Sequence, residues 1–247
     1  MLDKKIREFQ KEFIRIKKME YVKTVRSGST GVGATFEYFL GKNEDSFEIP
    51  DFDGIEIKTR RSYSKAYITL FNAVPTGSHF HETKRLRDCY GYPCKSDKYL
   101  KELYAEVFAN CVTKVGLWYY FRLFVDWEHT RLILLIYDYK KDLIDEATYW
   151  DFDILREKLE RKLQVLALVK AWPNHINGTE YFKYYKMNIF LLRDFKSFLL
   201  AIEKGFIKLS LKIGSYESSD KYGMVKEHGV GFSIREEDLL EVFDIYR

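Results

Sequence analysis

Asp51, Glu56 and Lys58 follow one another in the order acid, gap, acid-x-lysine. Those residue types can hold a divalent cation against a phosphate. Ile55 and Ile57 alternate with Glu56 and Lys58, so a strand here puts the charged pair on one face and the isoleucines on the other. At a rise of about 3.3 Å per residue the two charged groups stand roughly 6.6 Å apart along the strand, near enough to share one phosphate. Asp51 precedes Glu56 by an odd number of residues, and an unbroken strand would turn it to the wrong face. Asp53-Gly54 supplies the remedy: an Asp-Gly pair accepts the positive φ of a tight turn, and a reversal there returns Asp51 to the side of Glu56. Two close carboxylates raise each other's pKa unless a cation neutralises them. Hard oxygen ligands favour Mg²⁺, with Mn²⁺ as a substitute, held by one or two carboxylates and by phosphate oxygens. The compact ammonium of Lys58 then orients water or stabilises charge on the attacked phosphorus. We favour this electrostatic role over that of general base, because neighbouring carboxylates stabilise the charged lysine.

The competing reading is a solvated hairpin with an exposed ion pair. Against it stand the isoleucine alternation, Pro50 and Gly54 at the ends of the segment, and a second acidic element upstream. Thr30 to Leu40 reads as a short helix closed by Gly41, with Glu37 set between Phe36 and the Tyr38-Phe39 pair. A carboxylate in so apolar a helix is costly unless it is paired or coordinates something.

The elements that must position these residues read as follows. Leu2 to Val22 is an amphipathic helix, with Ile6, Phe9, Phe13 and Ile16 at helical spacing. A strand is expected around Tyr67 to Ala73, and Gly77 to Lys98 reads as loop-rich and basic. Trp118 to Tyr139 suits a strand meander that turns at Asp126 to His129. Asp153 to Leu163 is a helix, Val165 to Ala171 a buried strand, and Asp194 to Lys204 a helix closed by Gly205. Ile207 to Ile213 alternates as a strand, Gly214 to Gly231 carries turn residues, Phe232 to Ile234 resumes strand, and a last helix is expected near Glu236 to Phe243.

The run from Gly31 to Arg60 resembles the catalytic region of the MvaI/BcnI type restriction endonucleases, a family that shares its fold with the mismatch-repair nicking enzyme MutH. The likeness continues through Ile68 to Phe71, Tyr149 to Asp153, Tyr181 to Tyr184, Ile213 to Tyr216 and His228-Gly229. It implies an α/β architecture of the MutH-like PD-(D/E)XK nuclease kind, a mixed central sheet flanked by helices, with two lobes around a DNA-binding cleft. The expected division is a catalytic lobe over residues 1–170 and a DNA-recognition lobe over residues 171–247. By the same resemblance the catalytic set falls on Glu37, Asp51, Glu56 and Lys58, with Asp51, Glu56 and the backbone carbonyl of Ile57 as metal ligands.

Base recognition is where this sequence departs from the family. The related enzymes carry an Arg in the strand that here offers Lys212, and a His-Asp-His-Gly run followed by an Arg. Here the run is Lys226-Glu227-His228-Gly229, with Ser233 at the later position. Serine cannot make the bidentate contact that Arg makes to guanine, so discrimination at one base pair should differ. The resemblance makes Lys212, Tyr216, Lys226 and His228 the recognition candidates, with Arg60 and Lys65 placed to meet phosphates.

The chain has 247 residues, 46% hydrophobic and 32% charged, which fits a folded chain and not a disordered one. Its 41 basic and 37 acidic residues leave a net charge of +4, too small to argue for nucleic acid by itself. Distribution matters more: Lys58, Arg60, Arg61 and Lys65 follow the active strand, and Lys84, Arg85, Arg87, Lys95, Lys98 and Lys101 form a second cluster suited to phosphates. Cys89, Cys94 and Cys111 lack a CxxC pair, and their spacing to His79 and His81 fits no common zinc site. A reduced, cytoplasmic setting without a membrane span is expected. The leading expectation is a Mg²⁺-dependent type II restriction endonuclease that cuts double-stranded DNA to 5′-phosphate and 3′-hydroxyl ends. From the resemblance it acts as a monomer nicking the strands in turn, beside a cognate DNA methyltransferase. The alternatives are a MutH-like repair nicking enzyme and a catalytically silent DNA-binding module.

Overall fold

The computed structural model describes residues 2–41, 50–76 and 79–247, with backbone alone at 79, 80 and 219. Ile49, Gly77 and the side chain of His79 therefore lie outside the described residues. In chain order the elements are α1 (Leu2–Lys17), β1 (Tyr21–Lys23), α2 (Gly31–Phe39), β2 (Ile55–Arg61), β3 (Ile68–Asn72), α3 (His79–Tyr90), β4 (Tyr92–Pro93) and β5 (Lys101–Val107). Next come β6 (Thr113–Val115), β7 (Tyr119–Asp126), β8 (Arg131–Tyr137), β9 (Leu143–Asp151), α4 (Phe152–Leu163), β10 (Val165–Ile176) and β11 (Thr179–Leu192). The chain closes with α5 (Phe195–Glu203), β12 (Ile207–Ser215), β13 (Val225–Ile234) and β14 (Phe243–Ile245).

The chain divides into two compact units, each discontinuous in sequence: residues 1–66, 160–193 and 243–247 form the first, residues 67–159 and 194–242 the second. The boundary expected near residue 170 falls inside β10, and both halves of that strand belong to the first unit. The reason is pairing. β10 runs parallel to β2 over Val165 to Ala171 and antiparallel to β11 over its full length, so cutting it would break the sheet that carries the acid-lysine motif.

In the first unit the sheet order is β1-β11-β10-β2, with β14 also on β11. Its core is built by period. Helix α1 sends Ile6, Phe9, Phe13 and Ile16 down one stripe, and α2 adds Val32 and Phe36. These pack on every second residue of the strands: Ile55 and Ile57 of β2, then Val165, Ala167, Val169 and Ala171 of β10. Tyr184 is buried in this core, and its hydroxyl donates to the Val32 carbonyl at 2.8 Å. Parallel neighbours need a crossover between them. Here the chain from β2 to β10 carries most of the second unit.

The second unit holds a sheet of order β3-β13-β12-β5-β4 and another of order β6-β7-β8-β9. The expected meander is present as β7 and β8, with the turn residue Thr130 at φ 51°. Three expectations are corrected. The stretch read as loop forms helix α3, and its basic residues serve internal contacts. Arg85 meets Glu82, Asp145 and Thr148, while Arg87, buried, donates to Ser215 Oγ at 2.9 Å and the Gly223 carbonyl at 3.1 Å. Both ends of the stretch Gly214 to Gly231 are strand, because β12 runs on to Ser215 and β13 begins at Val225. Glu236–Glu241 is a single 3₁₀ segment, and Phe243, fully buried, joins the first sheet opposite Leu192.

Candidate active site

The hairpin that the sequence called for is formed. Phe52 and Ile55 exchange both backbone hydrogen bonds, at 2.9 and 2.8 Å, around a turn in which Asp53 and Gly54 take φ 43° and 93°. Both positive values suit the Asp-Gly pair. Lys5 of α1 holds the turn by an ion pair to Asp53 at 2.7 Å. The reversal sets Asp51 alongside β2, where its Oδ2 accepts from the Ile57 N–H at 2.8 Å. The N–H and C=O of one strand residue face the same way. The Ile57 carbonyl is thereby directed to the edge that Asp51 occupies.

Glu56 and Lys58 share the opposite face from Ile55 and Ile57, and the Lys58 ammonium donates to Glu56 Oε1 at 2.6 Å. Glu56 is 1% exposed, and its other oxygen, Oε2, is buried with no hydrogen-bond partner. An ionised oxygen left so is expensive. Burial is the largest influence on this carboxyl and pushes its pKa up; Lys58 opposes the rise, Asp51 adds to it, and Lys162 opposes it again. Lys162 was not singled out from the sequence. It lies in the last turn of α4, and its ammonium stands 3.6 Å from the same Oε1. Only its place among the basic residues at a helix C-terminus marked it beforehand.

This donor set fits a hard divalent cation. Two ammonium groups crowd Oε1 while Oε2 stays buried and unpartnered, and Asp51 with the Ile57 carbonyl lies on the adjoining edge. Among the described residues no three His, Cys, Asp or Glu side chains cluster as a ready-made metal site. A two-carboxylate site that leaves other positions to water and phosphate is the pattern suited to Mg²⁺.

Glu37 is half-buried on α2, and it is not among the groups acting on Glu56. A Cβ on Gly33 would lie 3.7 Å from Glu37 Oε1 and 3.1 Å from Thr59 Oγ1, so the glycine leaves the space into which Glu37 folds beside β2. The structure thus joins Asp51, Glu56 and Lys58 directly and sets Glu37 on the Thr59 side. Arg60 is a correction. It is 8% exposed and donates to the carbonyls of Ser64 and Ala66, bracing the loop after β2 in place of meeting phosphates. Arg61 binds Glu180 through two bonds of 2.7 Å and the Gly28 carbonyl at 2.9 Å. Lys65 remains exposed.

The family model of the MvaI/BcnI restriction endonucleases matches residues 10–243. The chain belongs to the MvaI/BcnI restriction endonuclease family. It is a site-specific deoxyribonuclease of restriction type. Among solved structures it is similar to the restriction endonuclease MvaI in complex with its cognate DNA substrate. That match has 33% identity over 97% of this chain and 96% of that one, with a TM-score of 0.87. MvaI in the absence of DNA matches at 32% identity over 98% and 96% of the two chains, with a TM-score of 0.66. No curated protein matches the chain.

In this endonuclease the recognition candidates lie in the second unit. Lys212 on β12 is opposite Gly229 on one side and Tyr104 on the other. The register shifts between Lys212 and Ile213, which leaves His228 as the extra residue of a β-bulge. A bulge re-aims the side chain it carries. Here the His228 ring lies 6.2 Å from that of Tyr104, and both flank Gly214, where a Cβ would stand 3.3 Å from Tyr104 Oη and 3.4 Å from His228 Nε2. Lys226 and Lys221 each place an ammonium 5.6 Å from the Tyr216 ring centre. Lys212, Lys226, His228 and Tyr104 are all exposed, and Tyr104 is a member the sequence reading missed. Ser233 is 4% exposed and its hydroxyl meets Thr69 at 3.4 Å, so it serves sheet packing. No helix among the described residues is long and apolar enough to cross a membrane.

Proposed function

We propose that this endonuclease hydrolyses phosphodiesters of double-stranded DNA at a short specific sequence with Mg²⁺ as cofactor, by the chemistry of a MutH-like PD-(D/E)XK nuclease. The observation that carries the metal and the chemistry is the buried, partnerless Glu56 Oε2 beside Asp51 and Lys58. Asp51, Glu56 and the Ile57 carbonyl would hold the ion. Bound there, Mg²⁺ supplies Lewis-acid charge at the phosphate and makes hydroxide accessible near neutral pH.

The protein's own groups do the rest. Lys58, fixed by its bond to Glu56, stabilises the negative charge that grows on the attacked phosphoryl group. The Asp51 bond to the Ile57 N–H keeps that carboxylate rigid, so the site is preorganised before substrate arrives. Glu37, on the Thr59 side, takes the place of an outer acid that orients water. Attack in line with the departing 3′ oxygen leaves 5′-phosphate and 3′-hydroxyl ends.

Lys212, Tyr216, Lys226 and His228, joined by Tyr104, read base edges in this proposal, and Lys65 meets backbone phosphate. MvaI is named in complex with cognate DNA, which supports double-stranded DNA as the substrate here. One catalytic constellation per chain favours a monomer that nicks the strands in succession, and a restriction enzyme calls for a methyltransferase to protect host DNA. The test is digestion of supercoiled plasmid of known sequence with Mg²⁺, followed by mapping of the ends. An open-circular species should precede linear product at one short sequence. Direct linearisation would reject the monomeric scheme, and cutting of one strand only would turn the reading to a repair nicking enzyme.

A further inference from the structure

One charge at the candidate active site has no part in the cleavage scheme. Lys162 stands in the last turn of α4, and the chain beyond it fixes where the side chain starts. Leu163 is fully buried, and the Gln164 carbonyl accepts from Leu192 N at 3.1 Å. β10 then begins at Val165, which is opposite Ile55 in the parallel register, one residue before Glu56. The end of the helix is thereby held next to the acid-lysine motif, and the Lys162 ammonium comes to 3.6 Å from Glu56 Oε1.

Hydrogen bonding does not account for this second ammonium. Lys58 already donates to Oε1 at 2.6 Å, and Lys162 leaves Oε2 unpartnered. Two ammonium groups beside one oxygen also repel each other. The Lys162 side chain is 27% exposed, and a lysine tip with access to water normally turns toward it. What its position alters is the charge of the site. Lys58, Asp51 and Lys162 are the charged groups that act on Glu56. Asp51 and Glu56, ionised, bring two negative charges and the two lysines bring two positive ones, so these four groups sum to zero. Without Lys162 they would sum to one negative charge. A divalent ion gains far less from a neutral donor set than from an anionic one, and the nearby ammonium repels it besides. A DNA phosphate supplies the negative charge that the four groups lack.

We propose that Lys162 is a positioning residue that, through Glu56, keeps the DNA-free site neutral, so that the divalent ion is taken up together with the scissile phosphate and not before it. By linkage the ion and the DNA then tighten each other's binding by the same factor. This role presupposes the Mg²⁺-dependent cleavage proposed for the site and adds to it the order in which ion and substrate arrive.

The test reads Mn²⁺ binding directly, from the electron-spin resonance of the free ion, without cleavage. The protein is titrated alone and with a duplex containing the mapped site. In that duplex a 3′-methylene phosphonate at each cut keeps the phosphate charge and puts a P–C bond where P–O would break. The parent should bind Mn²⁺ at least about tenfold more tightly with the duplex than without it. Without DNA, Lys162→Met should bind Mn²⁺ about tenfold more tightly than the parent, a factor held down by the partial exposure of the lysine. Lys162→Gln should do the same, and Lys162→Arg, which keeps the charge, should stay with the parent. A misfolded variant would lose affinity and not gain it, and melting curves check folding. Equal DNA-free affinities of parent, Lys162→Met and Lys162→Gln would overturn the proposal, as would an equal gain in Lys162→Arg. A parent that takes up Mn²⁺ equally with and without the duplex would overturn it too. In each of these cases Mn²⁺ binding by the parent would leave the nuclease reading intact. Failure of that reading would show differently: Glu56→Gln, expected to abolish Mn²⁺ binding in the presence of duplex, would bind as the parent does.

Discussion

Glu56→Gln should make the metal-free protein more stable while abolishing cleavage. Glu56 is 1% exposed and Oε2 has no partner. A buried polar atom left unsatisfied costs about 1–3 kcal/mol, and more when charged. Lys58 at 2.6 Å and Lys162 at 3.6 Å offset part of this, yet both lysine side chains are about a quarter exposed and can turn to water once the charge is gone. Gln still buries one polar atom, so a net gain of about 1 kcal/mol is expected, a rise of roughly 2–4 °C in Tm for a chain of this size. The pH dependence follows from the raised pKa of Glu56, which burial dominates. A carboxyl whose pKa is higher folded than unfolded favours folding fully below the unfolded value, and that favour is lost as pH rises through the folded value. The advantage of Glu56→Gln should therefore be smallest near pH 5 and largest near pH 8. Calorimetric melting of parent and variant in EDTA across that range measures it. A variant that melts below the parent at pH 8, or a gap that does not change with pH, would show that the carboxylate is comfortably paired and would refute the reasoning.

Other perturbations separate the roles. Lys58→Ala should hold specific DNA binding and lower the cleavage rate at least about 100-fold, read by single-turnover kinetics beside a gel-shift titration. Lys162→Met should slow cleavage less than Lys58→Ala does, since its ammonium stands farther from Glu56 Oε1; equal losses in the same kinetics would give both lysines one role. Arg60→Met should cost about 1 kcal/mol through the unpaired loop carbonyls and leave the salt dependence of DNA binding unchanged; a shallower salt slope would return Arg60 to the DNA interface. His228→Ala should relax discrimination at one base pair of the mapped site, seen by digesting a library of single-substitution sites.

What could be read ahead of the structure was local. The hairpin was legible because an Asp-Gly pair and a strict two-residue alternation act within a few residues, and Asp51 then falls where that turn must put it. Helices α1 and α5 were legible in the same way, α1 from its apolar stripe and α5 from Gly205, which closes it at φ 81°. What escaped depends on chain that arrives from far away. Lys162 reaches Glu56 across more than a hundred residues, and nothing near it in sequence says so. Arg60 looked like a phosphate ligand because the loop carbonyls that occupy it carry no signal in residue type. Strand β11, the longest in the chain, was not read as a strand because the bulge at Tyr185 breaks the alternation that would announce it. Helix α3 was taken for loop because Gly77, Gly91 and Pro93 punctuate the stretch around it, and its arginines, read as suited to phosphates, are held by internal acceptors.

The central claim is that Asp51, Glu56 and the Ile57 carbonyl converge on one divalent ion beside Lys58. The most direct measurement is anomalous diffraction from crystals of the protein with duplex DNA and Mn²⁺. The account predicts a manganese peak within coordination distance of Glu56 Oε2 and an Asp51 oxygen, with Lys58 Nζ close to the scissile phosphate. A peak ligated by neither carboxylate, with Glu56 Oε2 still buried and unshared, would contradict it.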